Sequence, residues 1–371
     1  MSTELEPEEV PTLPKEESVN LNEESSDVFT EFEELSDYLS EEGSLQYSGK
    51  SVFSDGTIVT YETPEVSEEE IVVDDDPLLS VPPEHYPDML FLMGNHFPIA
   101  IHAYEHIRSL IRWKKLFPKQ QIQILAPGGD YKNGLFFFNV WHGNFYGSAY
   151  CHDRKDKSIL EQALATSRHL PVPDQYKMCR LTCLNPNSFE AMKVIFSKDK
   201  WCTSHDVVLW LPWYCAREME VHLPNDNVQI RELGLGHIDL INESWEENFP
   251  GSRELIDDLF DIHQGLGLFD DEILLSWALV WYHGGLGIIQ TVEREKGKGY
   301  CRPVVEALTK RMGEHLIDVH LKITRGKRRD LFFFTALGFR YAFKAFTFET
   351  QKYLDKKKSQ TKLKTSIIKK N

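Results

Sequence analysis

Cysteine is sparse in this sequence: six in 371 residues, with no CxxC pair among them. Thiols scattered as Cys151, Cys179, Cys183, Cys202, Cys215 and Cys301 argue against a disulfide-stapled fold and for reduced cysteines in a cytosolic-type compartment. Long apolar runs are also missing. The most aromatic stretch, 331–348, is interrupted by Arg340 and Lys344, so no membrane span is expected. The opening MSTELEPEEV has neither an apolar signal core nor an Arg-rich amphipathic pattern, and a cytoplasmic protein is the expectation. GxxxxGK followed by Ser or Thr does not occur, which excludes a Walker loop; GxGxxG and GxSxG do not occur either. His142, His152, His169 and His205 lack the spacing of a zinc site, so no metal is expected. No internal repeat of about 20–50 residues stands out.

Basic charge is nearly absent from residues 1–86, which hold 25 Asp and Glu against two Lys, or −23. Residues 351–371 reverse this, with eight Lys and one Asp, or +7. The remainder, 87–350, carries 31 basic and 32 acidic residues, so the formal net charge of −17 describes the tails and not the folded part. An acidic segment rich in Ser and Pro cannot bury enough apolar surface to offset its conformational entropy. Residues 1–81 are therefore expected to be a disordered acidic extension, with short apolar islands able to dock on a protein partner. Residues 351–371 read as a Lys-rich tail.

What is present between them is a regular alternation. Apolar residues at helical spacing predict a helix over 97–115, and short β-rich runs predict strands at 121–125 and 134–141, separated by the turn Pro127-Gly128-Gly129-Asp130. Helices over 158–170 and 188–196 and strands over 176–184 and 207–211 complete an α/β unit, taken as an N-terminal lobe over 82–224. The pattern then restarts. A strand at 228–233 and helices at 236–247 and 252–264 come first. Strands at 274–282 and 286–292 follow, joined by His283-Gly284-Gly285. A helix over 302–315, a strand over 316–323, a helix over 327–337 and a strand over 340–348 close a second domain, 225–350.

The stretch from Leu286 to Met312 carries the chemistry. It reads as strand, basic loop (Glu293-Arg294-Glu295-Lys296-Gly297-Lys298-Gly299-Tyr300-Cys301) and helix, with Pro303 in the first turn, where no amide donor is needed. A helix N-terminus carries partial positive charge and unsatisfied N–H groups; glycines allow close approach of an anion, and Lys296 and Lys298 add charge. A pyrophosphate fits such a loop, although glycine and lysine also make ordinary exposed turns. Cys301 reads either as a thiol activated by the helix terminus and the lysines, or as a small residue packed under the loop. Trp201, Trp210 and Trp213 read as core packing or as the lining of an acyl pocket.

With its element order and loop, the second domain resembles an N-acyltransferase domain of the Gcn5-related superfamily, and more narrowly the glycine N-acyltransferase-like branch. The residues bearing the likeness are Ile230 to Leu233, Gly236 to Trp245, Ser276-Trp277, the loop, and Thr335 to Phe339. The superfamily's loop has Arg or Gln, two residues, Gly, one residue, then Gly or Ala. Arg294 to Gly299 meets it literally, while Lys296 to Cys301 keeps the following helix in phase. The resemblance implies a strongly twisted mixed sheet with two related lobes and acyl-CoA as co-substrate between the strands at 286–292 and 316–322. It implies backbone N–H groups near Thr291 and Val292 on the thioester carbonyl, and Lys296, Gly297, Lys298, Gly299, Tyr300 and Cys301 around the cofactor. The reaction implied is acyl transfer from acyl-CoA to a small amine, an amino acid such as glycine. Relatives of this branch are often mitochondrial, so that location follows from resemblance alone. The branch's Glu base aligns with Gly285, leaving His283 or Glu293 as substitutes. A carboxylate missing there keeps open a scaffold or acyl-CoA-binding protein that has lost turnover.

Overall fold

The computed structural model describes residues 75–350 apart from 194, 197–199, 263 and 264, together with residues 51–52 and 58–59. The chain divides into two units, 1–67 and 68–371. In the first, the described residues are β1 (Ser51–Val52) paired antiparallel with β2 (Ile58–Val59). The expected extension over most of 1–81 and the Lys-rich tail lie otherwise outside the described residues.

The second unit is a single twelve-stranded mixed sheet with helices packed on it. Its first half runs β3 (Leu78–Ser80), α1 (Tyr86–Gly94), α2 (Ile101–Leu116), β4 (Gln121–Pro127), β5 (Leu135–Trp141), β6 (Asn144–Tyr150), α3 (Arg154–Thr166), β7 (Met178–Leu184), α4 (Pro186–Lys193), β8 (Trp201–Leu211) and the short α5 (Trp213–Ala216). Its second half runs β9 (Val228–Glu232), α6 (Ile238–Ser244), α7 (Ser252–Ile262), β10 (Leu266–Asp270), β11 (Ile273–Val280), β12 (Leu286–Thr291), α8 (Cys301–Glu314), β13 (Val319–Thr324), α9 (Arg328–Ala336) and β14 (Arg340–Thr350). The two halves repeat one order: a strand, two helices, three strands, a helix, a strand, a helix and a strand. That repeat of topology, invisible in the residues, is the pair of related lobes.

Strand order is β3-β4-β5-β6-β7-β14-β8-β13-β12-β11-β10-β9. Neighbours are antiparallel except β6–β7 and β12–β13, one parallel pair in each half. Parallel neighbours need a crossover, and α3 and α8 are those crossovers. The final strands are exchanged: β14 lies between β7 and β8, and β8 lies between β14 and β13. A sequence boundary near 224 thus separates the repeats but not the sheet.

Two large apolar clusters flank the exchange. One joins Leu125, Phe136, Phe138 and Phe145 with Leu160 and Leu164 of α3. The other joins Leu268, Leu275 and Leu321 with Val304, Val305, Leu308 and Met312, the α8 face expected from its spacing. Three elements depart from expectation. The ordered chain begins before residue 82, because β3 pairs with β4 and buries Leu78 completely. β6, which contains Asn144, Gly147 and Ser148, and the five-residue β10 carried too little β signal to be predicted, yet both sit inside the sheet, where pairing overrides propensity.

Candidate functional site

The two parallel pairs differ in how far they hold together. β6 and β7 stay in register over four residue pairs, Asn144↔Met178 to Gly147↔Leu181. β12 and β13 pair only at Leu286↔Leu321 and then diverge. A bulge in β12 drives the divergence. Trp277 faces Gln290 and Leu279 faces Gly287, so Ile288 and Ile289 together oppose Ala278. Ile288 takes φ 42°, a left-handed value that costs a β-branched residue energy and persists because its surroundings hold it. Beyond the bulge the strands enclose a cavity of about 650 Å³ lined by β12, β13, the start of α8, α9 and residues 245–247.

Each wall has its cause in the sequence. Gln290 donates from Nε2 to the Ser244 carbonyl, tying the segment after α6 to β12, and Trp245 packs edge-on against Trp281. That brings Trp245, Glu246 and Glu247 to the cavity. Gly297 and Gly299 adopt φ 83° and 86°, open positions that only glycine takes without strain and that turn the chain into α8. No side chain caps α8. Its counterpart α3 is capped by Asp153, which accepts from the Lys155 and Asp156 amides at 2.7 and 3.0 Å. The first half thus neutralises its own helix terminus, whereas the terminus of α8, through Cys301, faces the cavity.

Charge around the mouth is arranged in pairs. Lys296 lies 2.7 Å from Glu293 and 3.3 Å from Glu246, Lys327 lies 3.4 Å from Glu247, and Lys298 lies 2.7 Å from Glu295. Deeper in, Lys322 approaches the buried Asp206 at 3.6 Å. An incoming polyanion would find Lys296 and Lys327 held by exposed carboxylates, weak competitors in water, whereas the partners of Lys298 and Lys322 are mostly or wholly covered.

Of the residues singled out from sequence, Thr291, Lys296, Gly297 and Cys301 line the cavity, and Lys298, Gly299 and Tyr300 lie in the same loop without lining it. The Val292 amide is committed to the Leu275 carbonyl at 2.9 Å, so it has no N–H to offer a thioester; the bulge at Ile288–Ile289 is the irregular backbone facing the cavity. Burial pushes the Cys301 thiol up to about 12, with the Asp330 charge adding to it, so the reading as an activated thiol is overturned and the packed small residue stands. Glu293 is 87% exposed in its side chain and paired with Lys296. The three tryptophans do not line the cavity: Trp201 packs on Phe196, Trp210 donates to Asp318 at 3.1 Å, and Trp213 lies under Arg217.

His283 is no surface turn residue. It is 4% exposed and packed among His102 and His106 of α2 and His320 of β13, all buried. Burial and the neighbouring imidazoles hold the pKa of His283 and His102 well below 6.5, and burial drives His106 and His320 to about 3. Side chains this reluctant to take a proton make poor bases. Gly285 sits against them. A Cβ there would lie 2.8 Å from both the His320 carbonyl oxygen and its Nε2. Sequence reasoning missed this cluster because its members are far apart in the chain, and it missed Glu246, Glu247 and Lys322 because only the fold brings them to one cavity. The basic run 324–329, readable from sequence either as a contact for CoA phosphates or as a solvated helix start, does place Lys327 and Arg329 in the lining.

Residues 265–347 match the family model described as FR47-like protein. An X-ray structure of a Drosophila protein shares the fold, with a TM-score of 0.65 at 14% identity over 74% of this chain and 98% of that one. A GCN5-related N-acetyltransferase from Kribbella flavida matches at a TM-score of 0.45 and 12% identity over 69% and 96% of the two chains. A tandem GNAT protein from the clavulanic acid biosynthesis pathway matches at 0.45 and 12% over 74% and 96%. The comparison with curated proteins gives no match. Among the described residues no helix is long and apolar enough to cross a membrane.

Proposed function

We propose that this chain is an acyl-CoA-dependent N-acyltransferase of the Gcn5-related superfamily, transferring an acyl group to the amine of a small acceptor, an amino acid such as glycine being the first to test. The observation that carries it is the cavity between β12 and β13, opened by the Ile288 bulge and bounded at one end by an uncapped helix terminus behind a Gly/Lys loop. The match over residues 265–347 falls on these same elements and supports the reading. The pyrophosphate of CoA would take the loop and the first amides of α8, with Lys296 and Lys327 exchanging their carboxylates for phosphate oxygens. The pantetheine arm would run along the separated strands, where backbone groups freed from pairing are available. The acceptor nitrogen attacks the thioester carbon, the C–S bond breaks, and CoA leaves as thiolate, which takes up the proton the amine loses. Amides at the bulge would hold the oxyanion formed on the way.

With Gly285 in place of a carboxylate, His283 buried and Glu293 out in solvent, we assign no base on the protein. Orientation of two bound reactants supplies the acceleration. A second reading, acyl-CoA binding without turnover, is favoured by the same missing carboxylate. Titration calorimetry of the full chain with acetyl-CoA and benzoyl-CoA, followed by turnover against a panel of amino acids, separates the two. Binding with turnover supports the transferase. Its kcat/KM is expected to keep rising with pH until the acceptor amine itself is deprotonated, whereas a plateau set by a protein group near 6.5 would restore a histidine base. Binding without turnover selects the second reading, and no binding by folded protein removes both.

A further inference from the structure

Four histidines meet in the interior where the two halves of the sheet face each other. His102 and His106, one turn apart on α2, come from the first half; His283 in the β11–β12 turn and His320 on β13 come from the second. They are 1%, 0%, 4% and 0% exposed. One ring nitrogen from each of His102, His283 and His320 falls within 4.8 Å of the other two. The Nδ1 of His102 and the Nε2 of His320 are 3.2 Å apart. Ligand nitrogens about 2.0–2.1 Å from a tetrahedral ion stand about 3.3 Å from one another. The His102–His320 pair already has the spacing of two ligands, and the His283 nitrogen lies within 4.8 Å of both.

The nitrogens turned away from that shared point are unsatisfied, which makes these histidines costly as mere packing. Both nitrogens of His106, the Nε2 of His102 and the Nδ1 of His320 are buried with no hydrogen-bond partner. Buried polar atoms without partners are few in native proteins because each costs about 1–3 kcal/mol. The Gly285 amide reaches His283 Nδ1 at a long 3.3 Å. The remaining ring contacts of the cluster are imidazole against imidazole, with centroids 4.7 to 6.2 Å apart, and imidazole against Phe137 and Tyr282. Imidazoles are aromatic, and packing alone would be served as well by Phe or Leu with no orphaned nitrogens. Gathering three from segments as distant as 218 positions has a physical purpose if they share a cation.

We propose that His102, His283 and His320 bind a divalent transition metal ion of the zinc class, with His106 packed beside it. The donor set selects the class: borderline ions prefer imidazole, whereas calcium and magnesium need oxygen ligands that this cluster does not provide. The ion ties α2 of the first half to the β11–β12 turn and β13 of the second. It sits beside Gly285 and His320, the neighbours of Leu286 and Leu321, the single pair at which β12 and β13 still meet before the cavity opens. Metal binding therefore fixes the origin of that divergence. The proposal stands without the acyl-CoA reading.

The test uses the full chain, purified without a polyhistidine tag and stripped with chelator. Cobalt(II) titration is expected to give the visible bands of a tetrahedral nitrogen site that saturate at one ion per chain, and zinc is expected to displace cobalt and raise the melting temperature. His102→Gln and His320→Gln are each expected to lower cobalt affinity at least tenfold, while His142→Gln, on an exposed turn, leaves it unchanged. X-ray absorption of the zinc-loaded wild type is expected to show three imidazoles at about 2.0 Å, a readout that needs no variant to fold. Folded wild-type protein that binds no cobalt in one-to-one stoichiometry overturns the proposal. So do fewer than three imidazoles on the metal, or a folded His102→Gln variant with undiminished affinity.

Discussion

Gly285 is the residue where the least atomic change has the largest expected effect. A methyl group there meets both the backbone and the ring of His320 at 2.8 Å, and backbone cannot move aside as a flexible side chain can. Gly285→Ala is expected to destabilise the protein by about 1–3 kcal/mol, read from urea unfolding. By the same argument, Gly285→Glu will not rescue or accelerate acyl transfer, because the His320 carbonyl oxygen stays in the way whatever side chain residue 320 carries. The buried Cys183 and the half-buried Cys301 carry a second prediction at this scale. Burial pushes Cys183 and Cys301 from 9.0 up to about 12. Between these values the unfolded chain releases thiol protons that the folded chain keeps, so the unfolded state binds fewer protons and stability falls as pH rises. Each such thiol contributes up to about 1.4 kcal/mol per pH unit. Stability measured between about pH 9 and 10.5 is expected to fall less steeply, by one thiol's share, in Cys301→Ala than in the wild type. At neutral pH, Cys301 is expected to resist alkylation until the protein unfolds.

At the scale of elements, α8 and its preceding loop act as a unit, and its lysines are not equivalent. Lys296 lines the cavity and Lys298 does not, being turned to Glu295. If pyrophosphate sits there, Lys296→Glu is expected to weaken CoA binding about tenfold, or about 1.4 kcal/mol, and Lys298→Glu clearly less. Both affinities should fall with added salt. Equal effects of the two variants in calorimetry would move the phosphate away from the helix terminus. The contrast between α8 and α3 explains why one of two topologically equal crossovers is the candidate: Asp153 already supplies α3 with its anion.

At the scale of the molecule, the exchange of β8 and β14 decides how the protein behaves. Each half ends its sheet on a strand from the other, with β8 paired to β13 and β14 paired to β7. The turns and helices are reciprocal as well. His142, in the β5–β6 turn, meets Asp258 of α7 at 2.6 Å, as His283, in the β11–β12 turn, meets His102 and His106 of α2. The described part of the second unit is therefore expected to unfold in one transition, with coincident tryptophan fluorescence and circular dichroism curves. Residues 225–350 expressed alone, lacking β8, are expected to fail to fold. Two separated transitions would show that the repeats are independent domains.

Much of this was legible in the residues. Period and punctuation marked α8 with Val304, Val305, Leu308 and Met312 inward, and marked the strand–loop–helix order around Gly297 and Gly299, because those signals are local. The amino-acid sequence by itself determined the α/β alternation, the helix faces and the loop that turns into α8. Tertiary structure alone decided which strands exchange, that Ile288 bulges, that Cys301 is half-buried at the cavity wall, and that His102, His106, His283 and His320 share one interior point. The reason is physical: helical and strand periods report each segment's own backbone, whereas burial, register and the meeting of distant side chains depend on what the rest of the chain packs against them.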